Sequence, residues 1–303
     1  GHALTARRYD IDTRKITLLP IGGVASLDRI PEDPKQELWV AVMGPAVNVI
    51  IAILLFPLVQ SKMRILADPD TALEFFQTVS PENFLTYLFI TNVFLVLFNA
   101  IPAFPMDGGR VLRALLSFRM DRVRATQIAS NLGQIIAIFF FFIGFTANPI
   151  LIFIGLFVFF GASSEYQVIQ QMSLLKGHSI HEAMMTQYTQ VYPDNDLKTI
   201  GDLLLSGTER NFVVSDGHQV IGILPHARIV QAFQQSKRFI RVADLMDREF
   251  QEVKPWEDLS EIYRKVQGKQ QHFFPVVQSG VLVGVIDMEN IQEFMMIQAG
   301  LDY

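Results

Sequence analysis

Three polar side chains lie inside or beside strongly apolar stretches of the chain. His2 is in Gly1-His2-Ala-Leu-Thr-Ala-Arg-Arg, Asn48 is in Gly44-Pro-Ala-Val-Asn48, and Asp107 ends Asn99-Ala-Ile-Pro-Ala-Phe-Pro-Met-Asp107. Carboxylates and imidazoles can bind divalent metals, and a carboxamide can donate hydrogen bonds. An acid at membrane depth is costly unless it is paired or bound to an ion. Asp107 is therefore a candidate site residue, and the chemistry of His2 and Asn48 suits a polar site.

Each residue also has a structural explanation. Asp is a good N-cap, so Asp107 could simply cap a helix that opens at Gly108-Gly109. Gly44 and Asn48 match a helix-packing contact between a small and a polar residue. Gly1-His2 is also typical of the remnant of a cleaved purification tag. The residue types alone leave these alternatives open.

Long uncharged runs predict the elements that must position these side chains. They extend from Trp39 to Gln60, between Phe84 and Asp107, and from Gln127 to Ser164. A span needs ~20 apolar residues, so the first two runs fit one helix each. The third fits two helices, broken at the turn signal Asn148-Pro149. Because such runs have no polar face, a surface helix of a soluble protein is excluded and four spans are expected.

The segment before Asp107 should be irregular. Pro102 and Pro105 break a helix, and irregular backbone at that depth must line a cavity or pack on protein. Gly108 and Gly109 would let the helix restart and let the backbone approach a ligand closely.

Basic residues predict the orientation. The loop 108–124 holds five Arg against Asp121 alone, whereas the loop 61–83 holds two basic and four acidic residues. Short loops rich in Lys and Arg stay in the cytoplasm. We therefore expect a multi-pass protein of the cell membrane, in contact with the lipid bilayer, in which everything after Glu165 is cytoplasmic.

The composition excludes several classes of protein. Half of the 303 residues are hydrophobic and only 18% are charged, against ~25% in soluble domains. The lack of Cys excludes disulfides, iron–sulfur clusters and thiolate zinc sites, so any metal must bind His, Asp or Glu. The net charge of −5 argues against nucleic acid as a partner. Residues 174–303 contain the whole acidic excess, which favours a boundary between 1–173 and 174–303.

Residues 174–303 contain an internal repeat. Residues 185–229 align with 246–291, so that Met185 lies opposite Met246 and later pairs share an offset of 62, such as Gly222 with Gly284. Each copy contains Pro-x-x-Asp-Leu, a helix, two strands around a turn and another helix. Strands that alternate with helices predict an α/β module.

Four segments in 1–110 resemble, in order, motifs of the site-2 proteases, which are intramembrane zinc metalloproteases. Gly1-His2 resembles the end of the HExxH helix, and Leu19-Pro-Ile-Gly-Gly-Val24 the hairpin-like segment that follows it. The other two segments, which end in Asn48 and Asp107, resemble the G-P-x-x-N and D-G motifs. The resemblance implies that His2 and Asp107 bind Zn²⁺. It also implies that Asn48 binds the substrate backbone or the oxyanion, and that the substrate is a transmembrane protein.

The first His and the Glu of HExxH are not in this chain. The resemblance makes that Glu the general base, so we expect the sequence to be a fragment and 1–303 alone to lack protease activity. The β-prone segment from Lys15 to Val24 could bind an unwound substrate by strand addition.

The repeat resembles a pair of cystathionine-β-synthase (CBS) domains, which often bind adenine nucleotides. Pro225 and Arg228 in the first copy, and Asp287 and Asn290 in the second, occupy the positions where nucleotide-binding copies have Ser or Thr and a ribose-binding Asp. Arg228 could contact a phosphate, and Asp287 is the other candidate nucleotide-binding residue. The module could instead serve docking or homodimerisation.

The sequence thus predicts a multi-span α-helical membrane domain followed by an α/β CBS pair. The predicted function is that of an intramembrane zinc protease regulated by the pair. The alternatives are a CBS-regulated transporter or channel, and a catalytically dead scaffold.

Overall fold

The computed structural model describes residues 1–19, 22–27, 31–65, 81–217, 219–235, 240–268 and 271–301, without the side chains of 14–19, 22–27, 63–65 and 268. Pro20 and Ile21 of the hairpin motif lie outside the described residues, as do most of the loop acids that predict the orientation. The chain forms two compact units, Gly1–Gln170 and Gln171–Tyr303.

The first unit is mainly helical. A short helix is followed by a hairpin and then by longer apolar helices. In order the elements are α1 (His2–Arg7), β1 (Thr13–Leu19), β2 (Gly22–Leu27), α2 (Pro34–Ile65), a 3₁₀ turn (Pro81–Asn83), α3 (Phe84–Asn99), α4 (Asp107–Ser117), α5 (Arg122–Gly144) and α6 (Ile150–Leu175).

Four of the described helices are long and apolar enough to cross a membrane: α2, α3 with its preceding turn, α5 and α6. Their exposed surface is rich in large apolar residues, including Phe139, Phe142, Phe153 and Phe160, as a lipid-facing surface requires. The predicted break at Asn148-Pro149 is confirmed, because α5 ends at Gly144 and α6 begins at Ile150. The Asn148 side chain accepts a hydrogen bond from the Ile150 N–H there.

Small and hydroxyl residues join α5 to α6. The Ser130 hydroxyl donates to the Ala162 carbonyl at 2.6 Å, and the Gln134 amide donates to the Ser163 hydroxyl at 2.9 Å. Buried Ala129 and Gly133 leave room for this close approach. Small residues and interhelical hydrogen bonds replace the hydrophobic effect when helices associate in lipid.

Helix α3 ends at Asn99, so the apolar run that continues to Asp107 is longer than the span it contains. Residues 100–106 form an irregular turn, and α4 restarts at Asp107. Pro102 and Pro105 have no N–H to donate, which explains the interruption.

The segment after α1 forms an antiparallel hairpin, in which Thr17 is opposite Val24 and Leu19 is opposite Gly22. Strands β1 and β2 make up a two-stranded sheet. The β-type prediction for residues 15–24 is thus confirmed for the described backbone.

The second unit contains two copies of one α/β motif. In order the elements are α7 (Ile180–Ala183), β3 (Gln190–Val191), α8 (Leu197–Ser206), β4 (Phe212–Ser215), β5 (Val220–Leu224), α9 (His226–Gln234), α10 (Val242–Leu245), α11 (Leu259–Gly268), β6 (Phe273–Gln278), β7 (Val281–Asp287) and α12 (Met288–Leu301). In the first copy, β3 pairs parallel with β4, and β4 pairs antiparallel with β5. In the second copy, Val253 pairs parallel with Val276, and β6 pairs antiparallel with β7.

The two copies exchange their leading segments. Met185 pairs with Val285 of β7 in the second copy, whereas Asp247 pairs with Ile223 of β5 in the first. Ile180 of α7 packs in the core around Phe274, and Val242 of α10 packs in the core around Phe212. Each core is therefore completed by residues from the other copy.

This exchange corrects the predicted alignment at its start. The side chains of Met184 and Met246 meet Gly284 and Gly222 in the same way, so Met184 is equivalent to Met246. The predicted partner, Met185, is equivalent to Asp247. The offset of 62 therefore holds along the whole repeat.

Candidate metal centre

His2 and Asp107 meet in the first unit. The Nε2 atom of His2 lies 3.2 Å from Oδ2 of Asp107, and both side chains are partly exposed. The Nδ1 atom of His2 lies 2.8 Å from the carbonyl oxygen of Val40 on α2. Because that carbonyl can only accept, Nδ1 carries a proton and donates it, and Nε2 is the ring nitrogen that faces Asp107.

This arrangement fits a metal ion. A lone pair that faces a carboxylate oxygen is unfavourable unless a proton or a cation lies between them. Two ligands each ~2.0–2.1 Å from a tetrahedral zinc are about 3.3 Å apart, close to the spacing of His2 and Asp107. A backbone carbonyl that fixes the tautomer of a metal-binding His is a common outer-shell contact. Among the residues that the structure describes, no group of three His, Asp or Glu completes a ligand set.

The turn 100–106 folds back against the first turn of α4 and thereby places Asp107. A Cβ atom on Gly108 would overlap the Ile101 carbonyl, and one on Gly109 would overlap the backbone of Ala103 and Phe104. The sequence predicts that these glycines let the backbone approach a ligand closely. In the structure, what they approach closely is the backbone of the preceding turn.

The N-cap position of α4 belongs to Met106, and Asp107 is the first helical residue. No side-chain cap hydrogen bond forms there, so the capping alternative does not describe the Asp107 carboxylate. Asp121, by contrast, does cap α5, since it accepts hydrogen bonds from the N–H groups of Val123 and Arg124.

Gly44 lies directly against the His2 ring. A Cβ atom at this position would overlap Nε2 and Cε1 of His2, so the G-P-x-x-N segment forms one wall of the site. Asn48 is one helical turn further along α2, on the face of Gly44, and is half-buried. Asn48 is thus one helical turn from the residue that contacts the His2 ring, and its role at the site stays a prediction.

A buried group of charges lies behind the site. Arg113 of α4 is fully buried, and its Nε donates to Glu37 of α2 at 2.7 Å while Nη2 pairs with the same carboxylate. Its Nη1 lies 3.5 Å from Glu165 of α6. Arg110 and Arg122 add further contacts to Glu165 and Glu37. The sequence analysis missed this group, although a charge within the apolar α6 was a usable signal.

In the second unit, Arg228 lines a cavity of about 770 Å³, together with Pro225, His226, Arg248 and His272. Its guanidinium lies 2.8 Å from the Asp247 carboxylate, which belongs to the exchanged segment of the other copy. Asp247 was not predicted from the sequence, because the exchange that brings it there leaves no local signal.

Asp287 is not among the residues that line that cavity, although its side chain contacts Asn211, which does line it. It caps α12, where its carboxylate accepts from the Asn290 N–H at 3.0 Å and its own N–H donates to the Asn290 side chain. Burial raises the pKa of Asp287, although the Asn290 N–H opposes this shift. By the offset of 62, Asp287 is equivalent to Pro225 and Asn290 to Arg228, so Arg228 and Asp287 do not occupy equivalent positions of the repeat.

Comparisons with known proteins find one matching family, related sequences and similar solved structures. The sequence pattern of peptidase family M50 matches residues 1–144. The zinc metalloprotease MJ0392 of Methanocaldococcus jannaschii is 33% identical over 299 residues, which cover 98% of this chain and 81% of that protein. The solved site-2 protease from Methanocaldococcus jannaschii has 40% identity, covers 55% of this chain and 70% of its own, and gives a TM-score of 0.43. The structure of CBSX2 in complex with AMP has 20% sequence identity with this chain and gives a TM-score of 0.36. The match covers 42% of this chain and 98% of the CBSX2 chain.

Proposed function

Because the chain belongs to peptidase family M50, the zinc metalloproteases of the site-2 type, we propose that it serves intramembrane proteolysis of transmembrane proteins. The observation that supports this proposal is the convergence of His2 Nε2 and Asp107 Oδ2 beside apolar helices. The chain is a multi-pass membrane protein, so the substrates within reach of this site are membrane-embedded segments.

In the proposed mechanism His2 and Asp107 would hold the zinc ion. Zinc, when bound, supplies an activated water near neutral pH and polarises the scissile carbonyl. Val40 keeps His2 in the tautomer that presents Nε2. Asn48 would donate a hydrogen bond to the carbonyl oxygen as negative charge develops there, and the edge of the β1–β2 hairpin would hold the unwound substrate as an added strand.

A pair of aspartate variants tests this proposal. Asp107→Asn should lose Zn²⁺ binding and proteolysis in the protein expressed from its complete gene, because an amide is a poor zinc ligand. Asp121→Asn, at a helix start that the side chain does cap, should keep both. The readouts are the zinc content after purification and the cleavage of a membrane-anchored reporter.

The outcomes separate the alternatives. Zinc binding without cleavage in the parent protein would favour a scaffold. Full zinc content and full cleavage in Asp107→Asn would refute the assignment of Asp107.

The second unit is a CBS-domain pair, and we propose that it is cytoplasmic and regulates the protease by binding an adenine nucleotide. The cavity at Arg228 supports this proposal, because its arginine and histidine side chains suit phosphate groups. The pair could also form a homodimer.

Calorimetric titration of the whole protein with ATP tests the regulatory site. Arg228→Ala should weaken binding at least tenfold, whereas Arg241→Ala, which removes an exposed arginine that does not line the cavity, should leave it unchanged. No heat at millimolar ATP in the parent protein would remove the nucleotide proposal and leave the docking role.

A further inference from the structure

The ion pair between Arg113 and Glu37 is buried in the membrane unit, where charges are costly. Arg113 is fully buried, and the Glu37 side chain is 4% exposed. Such a pair contributes little net stability, because desolvation of both ions offsets their attraction. Net stabilisation of the fold is therefore a poor explanation for the presence of this pair. The directional contacts of a guanidinium can instead fix the relative position of the helices that it joins.

The Glu37 end of the pair is connected to His2. Glu37 precedes Val40 by three residues and Gly44 by seven, so all three lie on one face of α2. The Val40 carbonyl accepts from His2, and Gly44 contacts the His2 ring. A rotation or shift of α2 at Glu37 would therefore move the imidazole.

The Arg113 end is connected to Asp107. Both residues belong to α4, which has 11 residues, so Arg113 lies less than two turns from the carboxylate. The Arg113 guanidinium also lies 4.7 Å from the ring centroid of Phe104, in the turn that precedes Asp107. The position of α4 against α2 thus determines how far Asp107 lies from His2.

We propose that Arg113, through its paired contacts with Glu37, is the positioning residue that holds Asp107 and His2 at metal-binding distance. This inference rests on the proposed zinc site. Arg113 touches neither substrate nor metal donor, and it acts by fixing α4 against α2. The contact of its Nη1 with Glu165 extends the same constraint to α6.

The test measures the metal site apart from activity. The protein expressed from its complete gene is purified in detergent with Arg113→Lys, with the double change Glu37→Met and Arg113→Met, or with the control Ser130→Ala. Lys keeps the charge but loses the planar fork. The double variant removes both members of the pair together, so that only the longer contacts to Arg122 and Glu165 lose a partner. Ser130→Ala removes a buried interhelical hydrogen bond on α5.

Three quantities are measured: the Zn²⁺ dissociation constant by chelator competition, the visible spectrum with Co²⁺ in place of Zn²⁺, and the melting temperature of the metal-free protein. We expect Arg113→Lys and the double variant to bind Zn²⁺ at least tenfold more weakly and to show a shifted Co²⁺ spectrum. Ser130→Ala should lower the melting temperature yet keep the parent affinity and spectrum.

A double variant with the parent affinity and spectrum would overturn the inference, and this comparison remains decisive if Arg113→Lys fails to fold. Parent-like metal binding by Arg113→Lys would also overturn it. Failure of the parent protein to bind Zn²⁺ would instead refute the proposed function.

Discussion

Gly44 is the residue at which the smallest change should disturb the metal centre most. A Cβ atom there would overlap the His2 ring, which is held on its other side by Val40. Gly44→Ala should therefore displace Nε2 from Asp107, weaken Zn²⁺ binding at least tenfold and reduce cleavage by a similar factor or more.

The matched control is Gly300→Ala near the end of α12, where an added methyl group meets no other atom within 4 Å. Alanine is also the better helix former, so this variant should be neutral or slightly more stable. Parent-like zinc affinity in Gly44→Ala would show that the His2 ring is not confined as the structure indicates.

Residue types and spacing were enough to single out Asp107 as a candidate site residue, because an acid at membrane depth is unfavourable unless it is paired or bound to an ion. They could not reveal the carbonyl of Val40 as the partner of His2, since every residue has a carbonyl. Nor could they pair Arg113 with Glu37, which is 76 residues away in the chain. Such contacts depend on how α2 and α4 pack.

Among the elements, α7 provides a pH-dependent prediction. Hydrogen bonds from the His178 side chain and from the Ser179 N–H lower the pKa of Glu182 to about 2. A lowered pKa stabilises the fold above the unfolded value of about 4.5, and this stability is lost as the pH falls towards 2. The Glu182 side chain is 44% exposed, so solvent limits the effect to about 1 kcal/mol or less.

Glu182→Gln should therefore reduce the loss of unfolding free energy between pH 5 and pH 2, as followed by chemical denaturation at each pH. Glu261→Gln, at an exposed position of α11, serves as the control and should keep the parent slope. Identical slopes in the parent and Glu182→Gln would contradict the role of the hydrogen bonds that Glu182 accepts.

Elements with a strong local signal were predictable. Uncharged length indicated the spans, and Asn148-Pro149 indicated the break between α5 and α6. Pro102 and Pro105 indicated the irregular segment before Asp107, which is confirmed. The exact end of α3 at Asn99 was harder to predict, because the apolar residues of the turn are buried against α4 and α5 and so resemble a continued span. Hydropathy records burial, and it does not distinguish lipid from protein as the surroundings.

The exchange of leading segments in the second unit makes its two cores interdependent. Ile180 precedes the first copy in sequence but is fully buried in the core of the second. Ile180→Ala should therefore cost ~2–5 kcal/mol and speed amide hydrogen exchange most in β6 and β7.

Val242→Ala, at the equivalent position, should speed exchange most in β4 and β5 instead. Hydrogen exchange measured by mass spectrometry on both variants distinguishes the two patterns. Fastest exchange of β4 and β5 in Ile180→Ala would show that the leading segments are not exchanged in solution.

The orientation of the whole molecule follows from which cations remain exposed. Three of the five arginines in this region pair with Glu37 or Glu165, namely Arg110, Arg113 and Arg122. By contrast, the Arg124 side chain is 82% exposed, and Arg119 is also exposed. We expect the loop between α4 and α5, and the second unit, to be cytoplasmic.

The absence of Cys from residues 1–303 allows a direct measurement, because a single introduced Cys is the only thiol in this part of the protein. Cysteines at the exposed positions Arg119 and Leu205 should react with a membrane-impermeant maleimide only after the membrane is opened with detergent. A cysteine at Pro81, beyond the outer end of α2, should react in intact cells. Two spans, α5 and α6, lie between Arg119 and Leu205, so labelling of these two positions from opposite sides would contradict the four-span arrangement. The reverse labelling pattern at all three positions would keep the four spans but reverse the predicted orientation in the membrane.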